Sequence, residues 1–240
     1  MRRLPILLVV TALTACERPV SRTDQALSAT GRTIAMSGGA GGAKSACFSC
    51  HGLEGAGDGV STPRLAGLGA GYLQKQMEDY GSGLRPDPVM TPIAKALDDR
   101  ARRAVVAHYE ELPAPPGGET ASAPGLWSQG DPTRGLQPCA ACHGDQGQGV
   151  GDQPALAGQP EVYTREQVQR WRLGKRRNDP RGAMGDIARK LTPAEIDVLA
   201  TWLRRQSSSP GPAIDAASAS GALEAAGRSA ASREGRRLDR

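Results

Sequence analysis

Apolar positions along the chain fall into two rhythms, one unbroken run and several stripes at helical spacing. Residues 4–13 are predominantly apolar and follow Arg2 and Arg3. That run is too short to cross a bilayer as a helix and has the charge pattern of a secretory signal. A polar, Gly-rich stretch comes next, ending in Gly38-Gly39-Ala40-Gly41-Gly42. Residues 16–35 read as a flexible leash, with helix expected only in the last turns of this stretch. Leu73, Met77 and Tyr80 then stand at i, i+4 and i+7 and predict a helix over about 71–80, with a second over 161–171. Near the end, Thr192-Pro193-Ala194-Glu195 offers an N-cap, a Pro at the first helical position and the Glu of a capping box. Ile196, Leu199, Trp202 and Leu203 follow as one apolar stripe. A matching helix begins near Asp98 or Asp99 and carries Ala104, Val105 and Tyr109. No stretch alternates with period two, so no strand is predicted.

These helices belong to an internal repeat. A shift of about 92 residues aligns Pro63-Arg64-Leu65-Ala66-Gly67 with Pro154-Ala155-Leu156-Ala157-Gly158, Tyr72 with Tyr163, Gln76 with Gln167, and Arg85 with Arg176. The expected architecture is therefore all-α, with two tandem domains at 36–113 and 124–206 joined by a Pro/Gly linker at 114–123. The Ser-, Ala- and Gly-rich residues 207–240 are expected to be a disordered tail. A length of 240 residues suits two such domains. Only 3% of residues are aromatic, with one Phe against 31 Gly and 18 Pro. Ordinary side chains leave each half short of bulk, so something else must fill the middle.

The cysteines identify the filler. Four of the five fall into Cys47-Phe48-Ser49-Cys50-His51 and Cys139-Ala140-Ala141-Cys142-His143. A lone Cys-x-x-Cys is also compatible with a redox dithiol or half of a zinc site, but zinc needs a second ligand pair and the chain has three histidines in all. Two of those three directly follow the motifs. Thiols separated by two residues on a helical turn reach the two vinyl groups of one haem, and the next residue presents imidazole to the iron. Cys47, Cys50, Cys139 and Cys142 are thus expected to hold two covalent haem c groups, with His51 and His143 as proximal iron ligands. Folding should depend on that attachment, because covalent haem replaces the missing core.

The repeat also selects distal ligands. Met1 belongs to the signal, Met36 aligns with Ser128, and Met77 lies in the helical stripe opposite Val168. Met90-Thr91-Pro92-Ile93-Ala94 instead matches Met184-Gly185-Asp186-Ile187-Ala188, each in a Gly/Pro/Arg-rich loop before the last helix. A thioether on such a loop can ligate iron and raise its potential relative to a bis-His site. Met90 and Met184 are the expected sixth ligands. His108 aligns with Thr201 inside the last helix and receives no role.

The remaining cysteine concerns address. Leu13-Thr14-Ala15-Cys16 looks like the lipobox of bacterial lipoproteins, in which Cys16 takes a lipid and becomes the new N-terminus. Cleavage near Ala15 without lipid is the other outcome, and both place the mature protein in the periplasm. Net charge is +5, or +3 without Arg2 and Arg3, too weak and scattered for a nucleic-acid footprint.

On the two Cys-x-x-Cys-His motifs, the Pro-x-Leu-x-Gly segments, and Met90 and Met184, residues 36–206 resemble the dihaem class I c-type cytochromes of the cytochrome c4 type. The resemblance implies a small helical cytochrome c fold in each half. It also implies that the Pro63 and Pro154 carbonyls accept the Nδ1 protons of the proximal histidines. Family members carry electrons between a quinol-oxidising cytochrome bc complex and a terminal oxidase or reductase. The lipobox, leash and tail depart from the soluble pattern and suggest a membrane-tethered variant or an accessory subunit. The expected function is one-electron transfer without catalysis, since occupied axial positions leave no open site. The alternative is a cytochrome subunit of a dehydrogenase, or a dihaem redox enzyme in which one haem loses its Met. Residues 38–113 carry 8 basic and 9 acidic residues, against 12 and 9 in 126–205, so the halves are expected to dock different partners.

Overall fold

The computed structural model of the chain describes residues 22–116, 118 and 122–208. Its first half contains α1 (Arg22–Ser37), α2 (Phe48–His51), α3 (Ala70–Ser82), α4 (Met90–Ala96) and α5 (Asp99–Glu111). The second half contains α6 (Gly125–Gln129), α7 (Ala140–His143), α8 (Glu161–Arg172), α9 (Ala183–Lys190) and α10 (Pro193–Arg205). Among the described residues, extended pairing is limited to two isolated antiparallel bridges, Asp131 with Leu136 and Val150 with Gln153.

Local chemistry sets the helix starts. Asp98 caps α5 by accepting the Ala101 N–H at 2.7 Å. Thr192 and Glu195 form the capping box of α10, the Glu195 N–H donating to Thr192 Oγ1 at 3.3 Å and the Thr192 N–H to Glu195 Oε2 at 2.8 Å. Arg134 reaches the same Glu195 carboxylate from 61 residues upstream and so ties the start of the second half to its last helix.

Each half builds its own core. In the first, Ala35, Leu68, Leu73, Val106 and Tyr109 pack together. In the second, Trp127, Leu136, Leu191, Ile196, Leu199, Trp202 and Leu203 do so, with the rings of Trp127 and Trp202 4.9 Å apart. Met77 packs against the first cluster, in keeping with its place in the helical stripe.

Three expectations need correction. Residues 16–35 were expected to be a leash, yet α1 spans Arg22–Ser37 and lies along α5. The contact is made by close approach: a Cβ on buried Gly31 would run into the Ala104 carbonyl and sit 2.9 Å from His108 Cβ. Small residues pack helices this way without a bulky apolar stripe, which is why the polar composition concealed it. The first unit therefore extends upstream of residue 36. Second, Met90 and Met184 lie in the first turns of α4 and α9. The Asp87 carboxylate accepts the Val89 and Met90 N–H groups at 2.9 Å, and Asp179 accepts that of Gly185 at 2.9 Å, so each turn is capped from an Asp in the loop. Third, residues 207–208, expected to open the tail, pack with the second half: Ser208 is buried and the neighbouring Gln206 is fully enclosed, donating to the Trp202 carbonyl at 3.0 Å. The signal, Cys16 and residues 209–240 lie outside the described residues.

Candidate functional site

The motif residues are placed by two one-turn helices with the same construction. Cys47 stands at the start of α2 half-buried, Cys50 is exposed, and His51 is buried as the last residue of that turn. Gly52 then adopts φ 78°, a conformation open to glycine, and the chain doubles back so that the Gly57 N–H donates to the His51 carbonyl at 2.9 Å. The same path follows His143, with Gly144 at φ 79° and the Gly149 N–H on the His143 carbonyl at 2.8 Å.

That return loop delivers a proline carbonyl to each imidazole. His51 Nδ1 lies 2.9 Å from the Pro63 oxygen, and His143 Nδ1 lies 3.0 Å from the Pro154 oxygen. A carbonyl only accepts, so Nδ1 must carry the proton and Nε2 is left with a free lone pair. Burial pushes both imidazoles below their ordinary pKa, and the proline carbonyls offset it only in part. Both rings are thus held neutral, oriented and ready to ligate.

Cys47, Cys50, His51, Pro63 and Met90 line one largely apolar cavity. In the second half, Cys139, Cys142, His143 and Pro154 come together in the same way. Met184 is half-buried in the first turn of α9, and its equivalent position, not a shared cavity, relates it to that group. The donor chemistry also suits a haem, whose rim carries two carboxylates. Arg64 Nε and Arg85 Nε are buried without a protein partner on side chains lining the first cavity. Two thiols, a neutral imidazole, an apolar chamber and unmatched donors fit a covalent haem.

A cytochrome c family model matches the chain twice, over residues 31–112 and 136–207. The chain belongs to the cytochrome c family. It is a dihaem c-type cytochrome of two helical domains, with haem c attached through Cys47 and Cys50 and through Cys139 and Cys142. It is 42% identical over 187 residues to the thiosulfate dehydrogenase electron acceptor of Stutzerimonas stutzeri, covering 74% of this chain and 87% of that one. Cytochrome c4 of Thiocapsa roseopersicina is 33% identical over 169 residues, covering 68% of this chain and 88% of the other. Among solved structures, the "as isolated" form of thiosulfate dehydrogenase from Marichromatium purpuratum is similar with a TM-score of 0.67 and 37% identity over 78% of this chain, which spans 43% of that protein. The cytochrome is an electron carrier.

The two cytochrome domains meet across a polar, pseudo-symmetric contact. Arg85 donates to Gln76 at 2.8 Å and across to Gln167 at 2.9 Å, while Arg176 donates to Gln167 at 2.8 Å and across to Gln76 at 3.2 Å. Each guanidinium also stacks on an aromatic ring of its own half, Arg85 on Tyr80 at 4.7 Å and Arg176 on Trp171 at 3.8 Å. The repeat aligned these residues; their role as the seam between halves had no signal in one sequence. Trp127 was missed outright. Its indole N–H donates to the Asp145 carbonyl at 2.9 Å and its ring stands 6.3 Å from that of His143, yet it precedes the motif in a five-residue helix with no stripe. His108 is buried where α5 faces α1 and belongs to neither haem site.

Proposed function

We propose that this cytochrome takes electrons one at a time from a thiosulfate-oxidising dehydrogenase and passes them on toward a terminal oxidase or reductase. The single observation that carries the site reading is the neutral, carbonyl-anchored imidazole in each half, a ligand prepared to stay on iron in both oxidation states. His51 and Met90 would hold one iron, His143 and Met184 the other. Haem c, when bound, supplies one-electron exchange between ferric and ferrous iron. The chain's part is to occupy both axial positions, keep water from the iron and hold the ring orientation fixed, which disfavours oxygen and peroxide chemistry. The donor is read from the relative that is itself an electron acceptor of such a dehydrogenase. A quinol-oxidising cytochrome bc complex is the other donor class, implied only by the sequence resemblance to the cytochrome c4 type.

The donor assignment is tested by mixing ferric holoprotein with thiosulfate and a catalytic amount of thiosulfate dehydrogenase, following the ferrous α-band. Reduction of two haems per chain is expected. If dithionite reduces both haems while dehydrogenase and thiosulfate reduce neither, the donor lies elsewhere. We further propose a periplasmic location with Cys16 carrying a thioether-linked diacylglycerol, whose two acyl chains hold the protein to a membrane. Expressed from its own signal, the protein should sediment with membranes, and Cys16→Ser should move it to the soluble fraction. A wild type that is already soluble would overturn the anchor.

A further inference from the structure

The repeat is broken at one buried position beside the first haem site. Immediately after the carbonyl that orients the imidazole, the first half has Arg64 and the second has Ala155. Arg64 is 1% exposed, which for a guanidinium demands compensation. Its main chain is clamped by the other half: the Arg64 N–H donates to Gln159 Oε1 and Gln159 Nε2 donates to the Arg64 carbonyl, both at 3.0 Å. Its head donates to the Ala66 carbonyl and, at 3.2 Å, to the Ala157 carbonyl. None of these partners is an anion, and no carboxylate among the described residues pairs with it. Burial lowers its pKa only to about 10, so the charge persists at neutral pH. The side chain lines the cavity shared by Cys47, Cys50 and His51, and its Nε has no partner there.

We propose that Arg64 is a potential-setting residue: its buried positive charge favours the reduced state of the first-half haem, and Ala155 gives the second-half haem no such contribution. The physical basis is that ferric iron loses one unit of positive charge when it takes one electron from the donor. A fixed cation nearby in a poorly screened interior therefore stabilises the ferrous product over the ferric reactant. The second half supplies the clamp through Gln159 and Ala157, so docking of the domains holds the charge in place. An electron on the carrier is biased toward the first half compared with a chain carrying Ala at both positions.

This inference rests on His51 ligating the first haem, which the spectrum of the unmodified protein tests separately. The experiment is a spectroelectrochemical titration of full-length holoprotein, comparing wild type with Arg64→Met, an apolar chain of similar volume, and Arg64→Lys, which keeps the charge. The first-half haem is identified as the one whose Met band disappears in Met90→Ala. At a fixed potential, Arg64→Met should lower the ferrous-to-ferric ratio of the first-half haem about tenfold, roughly 59 mV for one electron. The second-half ratio should change less than about threefold, roughly 30 mV on the same conversion. Arg64→Lys should retain most of the wild-type ratio. Thermal unfolding and an unchanged Met band confirm an intact fold, and Arg64→Gln serves as the neutral probe if the Met variant does not mature. An unmoved first-half haem, equal shifts in both haems, or Lys behaving like Met would each overturn the proposal.

Discussion

Replacing Gly31 by Ala reads directly on whether α1 is part of the folded cytochrome. In an exposed helix the change would be favourable, because Ala exceeds Gly in helix propensity by about 1 kcal/mol. Here the new methyl would meet the Ala104 backbone carbonyl, and main chain cannot rotate out of the way as a side chain can. Helix α1 must therefore back off from α5, uncovering Ala35, which is 2% exposed, and half-buried Ile34. Overpacking of this kind costs about 1–3 kcal/mol, and the uncovered methyl and part of an Ile side chain are worth about 1–2 kcal/mol together. These are two views of one loss and are not added. Offset by the propensity gain of about 1 kcal/mol, a net loss of about 0–2 kcal/mol remains, which lowers Tm by up to about 8 °C for a chain of this size. Far-UV circular dichroism melts of holoprotein, wild type against Gly31→Ala, measure it. A Tm raised by the full propensity gain would mean that α1 does not dock on α5 and that residues 16–35 are the leash their composition suggests.

Other expectations follow from named contacts. Trp127→Phe removes an N–H from the Gly144 and Asp145 carbonyls and should cost about 1–3 kcal/mol in thermal unfolding, while leaving the first-half haem spectrum unchanged. Thr192→Ala should cost about 1 kcal/mol by uncapping α10. The Arg134 guanidinium beside Glu195 holds its carboxyl down to about 2 from the ordinary 4.5. Because the folded value is the lower one, this stabilisation is complete above about pH 4.5 and is lost as pH falls toward 2. Glu195→Gln should thus melt below wild type at pH 6, and the gap should close on acidification; a gap that widens would contradict the ion pair.

The haem machinery was legible because its chemistry dictates spacing. Two thiols three positions apart followed by imidazole have few other uses, whereas the distal roles proposed for Met90 and Met184 rest on the repeat, which pairs them and leaves Met36 and Met77 unpaired. The Pro63 and Pro154 carbonyls came only through the family resemblance, since no side chain marks a backbone acceptor. What stayed hidden depends on partners distant in sequence. Gly31 has meaning only opposite Ala104, and Gln76 and Gln167 become a seam only once two guanidinium groups reach across. Loops read from Gly, Pro and Arg content became the first turns of α4 and α9 because Asp87 and Asp179 cap them, a local signal overshadowed by composition. Arg64 was visible in the alignment of the repeat, but its enclosure was not.

Both irons are proposed to be closed to exogenous ligands, each by one His and one Met. Optical spectroscopy of matured protein, combining haem quantitation with the weak far-red charge-transfer band of Met-ligated ferric haem, tests that closure most directly. Two low-spin haems per chain are expected, with Met bands that neither peroxide nor carbon monoxide disturbs, one band lost in Met90→Ala and the other in Met184→Ala. A high-spin haem at rest, or one that binds carbon monoxide without mutation, would contradict it for that domain.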